Sequence, residues 1–224
     1  MIFPIGDDQV RGGFTPLFSY GIIILNVAVF IFQARMPEAQ LASFVYEYGS
    51  IPVEIAHGED LHTLVTSMFL HGGWLHLIGN MLFLWVFADN IEAAVGNVRF
   101  VLFYLLGGLA AVGAHIFFHP FSEMPMVGAS GAISAVLGAY LVMFPHSRIK
   151  VLLLILVFRV PALLFLGFWI WQQWLNGRAD LDVPTEATSG VAWWAHIGGF
   201  AFGLLAGIFF RARGHMSGVE LHDN

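Results

Sequence analysis

The sequence predicts an all-α, polytopic membrane protein built as one bundle of six transmembrane helices. Of its 224 residues, 58% are hydrophobic and only 11% are charged, whereas soluble domains carry about 25% charged residues. Several uncharged stretches approach the roughly 20 apolar residues that a helix needs to cross the hydrocarbon core. So few charged side chains cannot cover a water-facing surface, so we expect lipid to be the main solvent.

Six segments fit membrane-spanning helices and define one domain over residues 14–213. We place these helices at about 14–32, 73–88, 100–118, 127–144, 160–175 and 191–210. Residues 1–13 are polar and acidic, without a basic region or a cleavage-site pattern. We therefore interpret them as a short cytoplasmic N-terminus rather than a signal peptide. Residues 214–224 read as a short polar cytoplasmic tail.

The fifth helix allows two placements. A helix over residues 151–171 would put Arg159 in mid-membrane, at a cost of about 2.5–3.5 kcal/mol. A helix over residues 160–175 instead puts Pro161 in its first turn, where proline is tolerated. We prefer the second placement, which leaves residues 149–158 as a short apolar stretch lying in the membrane interface.

The basic residues predict the orientation of the chain. With the N-terminus inside, the cytoplasmic side holds seven basic residues and the outer side holds two. The cytoplasmic group is Arg11, Arg99, Arg148, Lys150, Arg159, Arg211 and Arg213, and the outer group is Arg35 and Arg178. Because cytoplasmic loops are enriched in Lys and Arg, we expect both termini in the cytoplasm. The loops at 34–72, 119–126 and 176–190 then face outward.

A serine flanked by small residues stands at the outer end of the fourth predicted helix, in the run Gly128-Ala129-Ser130-Gly131. Its hydroxyl would lie near unsatisfied backbone N–H groups and the positive end of the helix dipole. Both can stabilise an oxyanion. The same small residues also suit close packing of transmembrane helices, so the residues alone leave both interpretations open.

The sixth predicted helix carries one histidine beside two glycines. Gly199 and Gly203 follow His196 at i+3 and i+7 and share its face, which allows close approach of a neighbouring helix. His196 lies about five residues below the outer boundary, or roughly 7 Å at 1.5 Å per residue. A histidine in this setting can serve either structure or catalysis.

The second predicted helix carries His76 and Asn80 on one face, preceded by His71. Both of these helical side chains can donate hydrogen bonds. A metal site is the rival interpretation, but the chain lacks a His-Glu-x-x-His motif, and no inward carboxylate accompanies these histidines. We therefore predict no metal and no cofactor, and we expect His71 to hydrogen-bond to a loop. The absence of cysteine excludes thiolate catalysis.

Topology brings these polar residues to a similar depth. The second, fourth and sixth helices all run inward from the outer side. Ser130, His196, His76 and Asn80 should therefore lie together in the outer part of the membrane. Because a base must come within hydrogen-bond distance of its nucleophile, equal depth is a precondition for catalysis. The agreement favours catalysis over separate packing roles.

The runs GASG at 128–131, AHIGGFAFG at 195–203 and HGGWLHLIGN at 71–80 resemble the motifs of rhomboid intramembrane proteases. The resemblance extends from the first predicted helix to the sixth and implies a six-helix, rhomboid-like bundle. It implies a serine endopeptidase that cleaves transmembrane segments of single-span or multi-span membrane proteins. We expect no nucleic-acid partner, and we expect a multi-pass protein of a bacterial inner membrane.

The resemblance also implies roles for individual residues. Ser130 corresponds to the nucleophile and His196 to the general base, while His76, Asn80 and the Ser130 backbone N–H form the oxyanion hole. The supporting residues are His71, Gly128, Gly131, Gly199, Gly203 and Glu92, the last being a structural acid that ties helix ends together. No acidic residue lies near His196 in the predicted membrane segments, so we expect a dyad rather than a triad.

Two features depart from the family pattern. Many members carry a Trp-Arg pair in the first outer loop, but residues 36–63 contain neither residue type. Many members also have a tyrosine one turn after the nucleophile, stacked on the catalytic histidine, and here that position is Ser134. The departures leave open the shape of the outer loop and the support of His196, but they remove no reacting group.

Other functions remain as alternatives. A catalytically inactive rhomboid-like scaffold would bind membrane proteins without cutting them, although such relatives usually lack the serine or the histidine. A transporter or channel would commonly show related halves with broken helices, which we do not find. Aspartyl intramembrane proteases need two intramembrane aspartates, and only Asp89 lies near a predicted helix.

Overall fold

The computed structural model describes residues 2–181, 191–214 and 220–222, and these are mostly helical. Their helices are α1 (Phe18–Gln33), α2 (Glu38–Tyr48), α3 (Pro52–Ala56), α4 (Thr63–Thr66), α5 (Trp74–Val95), α6 (Asn97–Phe118), α7 (Ser130–Met143), α8 (Ala162–Asp180) and α9 (Trp193–Ala212). A short 3-10 helix, Ser67–Phe69, follows α4. Parts of the predicted outer loop 176–190 and tail 214–224 lie outside the described residues.

Within those residues, three helices are long and apolar enough to cross a membrane, namely α5, α6 and α9. Helices α1 and α7 are apolar but have only 16 and 14 residues, which is shorter than a perpendicular span needs. Helix α8 has 19 residues, but its second half is partly polar. Length and composition thus support three spans where the sequence analysis predicts six.

Helix α7 lies at the centre of the bundle and is buried along nearly its whole length. Helix α9 packs along it through glycine contacts. A methyl group at Gly138 would lie 2.2 Å from the Phe200 carbonyl oxygen, and one at Gly203 would lie 2.0 Å from the Ala135 carbonyl oxygen. Because any side chain at these positions would clash with backbone of the neighbouring helix, the glycines determine the distance between the two helices.

Small β-sheets correct the all-α prediction. Strands β3 (Arg148–Leu153) and β4 (Leu156–Pro161) form an antiparallel hairpin over the stretch that the sequence analysis interprets as lying in the interface. Strand β1 (Ile2–Gly6) adds to β3, and β2 (Gln9–Arg11) pairs with β5 (Glu220–His222). This hairpin is not predicted from the sequence because its apolar runs also suit a membrane helix, although β-branched residues are frequent in both strands.

Two helix limits differ from their predicted positions, one because of buried polar side chains and one because of a glycine conformation. Helix α5 continues to Val95 instead of ending near residue 88, because Asn90 and Glu92 are buried with hydrogen-bond partners. Helix α7 begins at Ser130 instead of residue 127, because Gly128 has a φ of +128°, which a right-handed helix does not allow.

An acid near the C-terminal end of α5 joins two helices. The Glu92 carboxylate is fully buried and accepts hydrogen bonds from the backbone N–H groups of Leu17, Phe18 and Ser19, at 3.1, 2.8 and 2.7 Å. These groups lie at the N-terminus of α1, where backbone donors lack helical partners and the dipole favours a negative charge. Glu92 therefore fixes the start of α1 against α5.

Candidate active site

Ser130 is the first residue of α7, and the loop before it is shaped by glycine. Gly128 adopts a positive φ, and its backbone N–H donates to the Ser67 carbonyl oxygen at 2.9 Å. The carbonyl of Ser130 accepts a hydrogen bond from the Ser134 hydroxyl at 2.6 Å. At this position the Ser130 backbone N–H has no acceptor in the preceding turn of its own helix.

His196 lies in the first turn of α9, directly opposite Ser130. Its Nε2 is 2.8 Å from the Ser130 Oγ, and its Nδ1 is 2.8 Å from the Gln173 Oε1. The rings of Trp169 and Trp193 flank the imidazole at centroid distances of 6.0 and 6.1 Å. The side chain is only partly exposed, so its position is set by protein contacts rather than by bulk water.

Glycine contacts between α7 and α9 bring the serine and the histidine together. A methyl group at Gly199 would lie 2.2 Å from the Gly131 carbonyl oxygen. On the other side of α7, a methyl group at Gly131 would lie 2.6 Å from the Ala111 Cβ. Gly199 is three residues from His196, and Gly131 is next to Ser130. These contacts therefore determine how closely the two helices approach at the site itself.

His76 and Asn80 of α5 approach the same loop. A methyl group at Gly128 would lie 2.7 Å from His76 Nε2 and 3.5 Å from Asn80 Nδ2. The backbone N–H of Gly72 donates to His76 Nδ1 at 3.4 Å, so Nε2 is the nitrogen that carries the proton. Asn80 Nδ2 is buried and has no hydrogen-bond acceptor among the described residues. Two N–H donors thus lie beside Gly128, close in sequence to Ser130.

His71 contributes to the scaffold through its backbone. Its N–H donates to Gln33 Oε1 at 3.1 Å, and its carbonyl accepts from Gln33 Nε2 at 3.4 Å. The ring packs edge-on against His76, with a centroid distance of 5.1 Å. Burial, with a smaller effect of His76, lowers the pKa of His71 to about 4. Its imidazole is therefore neutral at pH 7.

A cavity of about 30 Å³ adjoins the serine. Residues on its wall include Ser67, Gly128, Ser130, Gly131, Ala132 and Ala195. The volume is enough for about one ordered water molecule, and most of the wall is made of small side chains. The cavity therefore offers room for a water molecule or a small group next to the hydroxyl.

The model of the Rhomboid domain family matches residues 58–213. The chain belongs to the rhomboid family. This match covers α4 to α9 and includes Ser130, His196, His76 and Asn80. Three helices among the described residues are long and apolar enough to cross a bilayer, and together with family membership they support a multi-pass membrane protein.

Curated relatives of this rhomboid come from plants, fungi, animals and bacteria. RHOMBOID-like protein 12, mitochondrial, of Arabidopsis thaliana is 29% identical over 83% of this chain and 56% of its own length. Rhomboid protein 1, mitochondrial, of Saccharomyces cerevisiae is 27% identical over 84% of this chain and 51% of its own length. Rhomboid protease GluP of Bacillus subtilis is 32% identical over 56% of this chain and 24% of its own length.

Coverage and names limit what these relatives imply about activity and compartment. The chain spans about half the length of the plant and yeast relatives that it matches. Both of those relatives are named as mitochondrial, so the comparisons do not support the expected bacterial inner membrane. Membership in the family and the membrane location of the rhomboid therefore stand, whereas its activity and compartment do not follow from the names.

The sequence analysis missed one residue of the site. Gln173 of α8 contacts His196, but the sequence analysis assigns α8 no part in the chemistry. The available signal is the pair Gln172-Gln173 within an otherwise apolar and aromatic helix, because an amide inside a membrane helix needs a hydrogen-bond partner.

No group of three metal-ligating side chains occurs in the part of the chain that the structure describes.

Proposed function

We propose that this rhomboid is an intramembrane serine endopeptidase in which Ser130 is the nucleophile and His196 is the general base. The observation that carries the proposal is the 2.8 Å distance between Ser130 Oγ and His196 Nε2. A serine hydroxyl is a weak nucleophile at its free pKa and is activated when an adjacent base takes its proton. His196 would take that proton during attack on a peptide carbonyl and return it to the leaving amine.

The negative charge of the tetrahedral intermediate needs donors near Ser130. The candidates are the Ser130 backbone N–H, His76 Nε2–H and Asn80 Nδ2–H. Asn80 supports this assignment because its Nδ2 is buried and has no acceptor among the described residues. A buried donor without an acceptor is unusual, and the oxyanion of the intermediate would supply one. The loss of one oxyanion donor typically costs about 2.7–4 kcal/mol of barrier height.

The substrate class follows from the setting of the dyad. The serine lies among helices of a membrane protein, so its partner is a transmembrane segment of another single-span or multi-span membrane protein that arrives through the lipid. The cavity beside Ser130 is only about 30 Å³ in volume, which favours a small side chain at the cleaved bond. A substrate helix must also unwind locally, because helical backbone carbonyls are hydrogen-bonded and shielded.

We propose six membrane crossings with both termini on the side that carries more basic residues. Helices α1, α7 and α8 would cross as well, with help from flanking residues and from local thinning of the bilayer, which short spans cause. The dyad then lies near the opposite face. Cysteine substitutions at Asp60 and Arg213, tested with an impermeant thiol reagent on sealed membranes, should label from opposite sides.

The proposed activity is tested with the purified chain in proteoliposomes and a panel of single-span substrates. Wild-type protein should cut within or near the span, whereas Ser130→Ala and His196→Ala should abolish cleavage. The matched controls are Ser43→Ala and His57→Ala, which remove the same groups at exposed positions of the outer loop. Both controls should cut at the wild-type rate.

A fluorophosphonate probe separates the protease from the inactive scaffold. Labelling of the folded wild-type chain that disappears in Ser130→Ala supports an activated serine. A folded chain that binds membrane proteins, but neither labels nor cuts any of the panel, would favour the scaffold and contradict the proposed activity.

A further inference from the structure

The support of His196 differs from a simple serine–histidine pair. On the side of the ring away from Ser130, the Nδ1 atom lies 2.8 Å from Gln173 Oε1. Gln173 belongs to α8 and is 23 residues from His196 in sequence. Gln173 as a whole residue is only 7% exposed, so water does not compete strongly for this hydrogen bond.

The orientation of the Gln173 amide is fixed by its second contact. Its Nε2 donates to the Trp169 carbonyl oxygen at 3.3 Å, one helical turn earlier in α8. A reversed amide would place Oε1 against that carbonyl, bringing two acceptors together, and would turn a donor toward the imidazole. The contact with Trp169 therefore keeps the amide oxygen directed at His196.

The direction of this hydrogen bond determines the tautomer of the imidazole. An amide oxygen only accepts hydrogen bonds, so the proton of neutral His196 must lie on Nδ1. The Nε2 lone pair is then free to accept the Ser130 hydroxyl proton at 2.8 Å. With the opposite tautomer, Nε2 would carry a hydrogen and could not act as a base.

We infer that Gln173 is a positioning residue that holds His196 in the tautomer required of a general base, an inference that rests on the proposed protease function. It fills the role that a third residue plays in a triad, but with a neutral amide in place of a carboxylate. The tyrosine position that Ser134 occupies here gives no such support, because the Ser134 hydroxyl donates to the Ser130 carbonyl. The base is thus oriented by α8, while α7 supplies the nucleophile.

The test replaces Gln173 by methionine, which has a similar length but no amide. Gln173→Met should lower kcat for a single-span substrate by about 10- to 100-fold and leave KM nearly unchanged. General-base catalysis contributes about 10²–10⁴-fold, and a wrong tautomer removes part of it. The matched control is Gln172→Met, the same change at the exposed neighbouring position, which should keep the wild-type kcat.

The second readout is the tautomer itself, measured by nitrogen-15 NMR on the full chain labelled at histidine. The His196→Ala spectrum identifies the signals of this ring among those of the ten histidines. Wild type and Gln172→Met should show a protonated Nδ1 and an unprotonated Nε2. Gln173→Met should show the proton mostly on Nε2, because a 10- to 100-fold loss of kcat requires the active tautomer to fall to about 10% of the population or less. A purely structural role would not produce this change.

The outcomes separate this inference from the proposed function. A wild-type spectrum with the proton on Nε2 overturns the inference, and it decides the matter even if Gln173→Met fails to fold. A loss of activity in Gln173→Met with an unchanged tautomer also overturns it, because the side chain then serves packing only. Cleavage that survives in Ser130→Ala would instead contradict the proposed protease.

Discussion

Glu92, near the C-terminal end of α5, shows how much one buried side chain can determine. Its carboxylate accepts three backbone N–H groups at the start of α1 and is fully buried. Hydrogen bonds to a charged acceptor are stronger than neutral ones and contribute about 1.5–3 kcal/mol each. The first helix of the rhomboid therefore depends on a residue 75 positions away from Leu17.

Replacing Glu92 by glutamine should destabilise the folded chain by about 2–4 kcal/mol, because the amide has one acceptor oxygen for three donors and lacks the charge. The free energy of unfolding in detergent measures this effect. Glu59→Gln makes the same change at an exposed position and should stay within about 0.5 kcal/mol of wild type. Equal stabilities of the two variants would show that Glu92 does not support α1.

At the scale of residues, the polar groups of the site can be recognised in the sequence, but not all of their partners can. Ser130, His76, Asn80 and His196 stand out because polar side chains are rare in apolar helices. Gln173 shares that property, yet no local spacing relates it to His196. A partner 23 residues away in sequence becomes visible only when the helices are packed.

At the scale of elements, the α7–α9 pair decides the geometry of the proposed dyad. Their glycines bring backbone atoms of the two helices into contact at Gly131 and Gly199, and again at Gly203 and Ala135. Because side-chain rearrangement cannot relieve a clash with backbone, any added methyl group must separate the helices. This separation would lengthen the hydrogen bond between Ser130 and His196.

Gly199→Ala should therefore reduce cleavage more than it reduces stability. Its new methyl group would lie 2.2 Å from the Gly131 carbonyl oxygen, and a misplacement of about 1 Å at a catalytic group can cost on the order of 10²-fold in rate. Initial cleavage rates and thermal midpoints should be measured together.

The control for this change is Gly113→Ala in α6, where a methyl group meets nothing within 4 Å. This variant should cut normally and gain about 0.5–1 kcal/mol, because alanine has a higher helix propensity than glycine. If Gly199→Ala and Gly113→Ala cut equally fast, the glycine contact does not determine the geometry of the dyad.

The hairpin of β3 and β4 shows where element prediction failed. Its apolar residues also suit a membrane helix by composition, but their β-branched side chains favour a sheet. The third strand comes from β1 near the N-terminus, so the sheet depends on a segment about 150 residues away. Such pairing cannot be read from the local pattern of residues 149–158.

At the scale of the whole molecule, a buried polar network joins the N-terminal segment to the bundle. Asp7 accepts hydrogen bonds from Tyr140 of α7 and Asn90 of α5, and Asn90 in turn accepts from the backbone N–H of Val10. Tyr140 also contacts Ser147 just before β3 at 2.8 Å. The network connects the N-terminus, two helices and the hairpin.

Burial raises the pKa of Asp7 to about 8, and nearby Asp89 adds to the shift against the opposing effect of the hydrogen bonds. Between about pH 4 and pH 8 the folded chain therefore holds a proton that the unfolded chain has lost. The contribution of Asp7 to stability is present at low pH and declines as the pH rises through this window. Its slope is at most about 1.4 kcal/mol per pH unit.

Asp7→Asn should flatten this dependence, because the amide cannot ionise. The free energy of unfolding of the variant should approach that of wild type near pH 5 and exceed it at pH 9. Denaturation in detergent across this range provides the measurement. Asp60→Asn, at an exposed position, should retain the wild-type slope, and a slope unchanged in Asp7→Asn would contradict the buried-acid interpretation.

The sequence by itself determined the membrane character, the family motifs and the segments that form long helices. These properties depend on transfer of side chains from water to lipid and on spacing within one helix, and both are local. Only the tertiary structure decided the 2.8 Å contact across 66 residues between Ser130 and His196, the support from Gln173, the hairpin and the Asp7 network. Each depends on close packing between distant segments, where shifts of about 1 Å matter, and no local pattern encodes distances of that size.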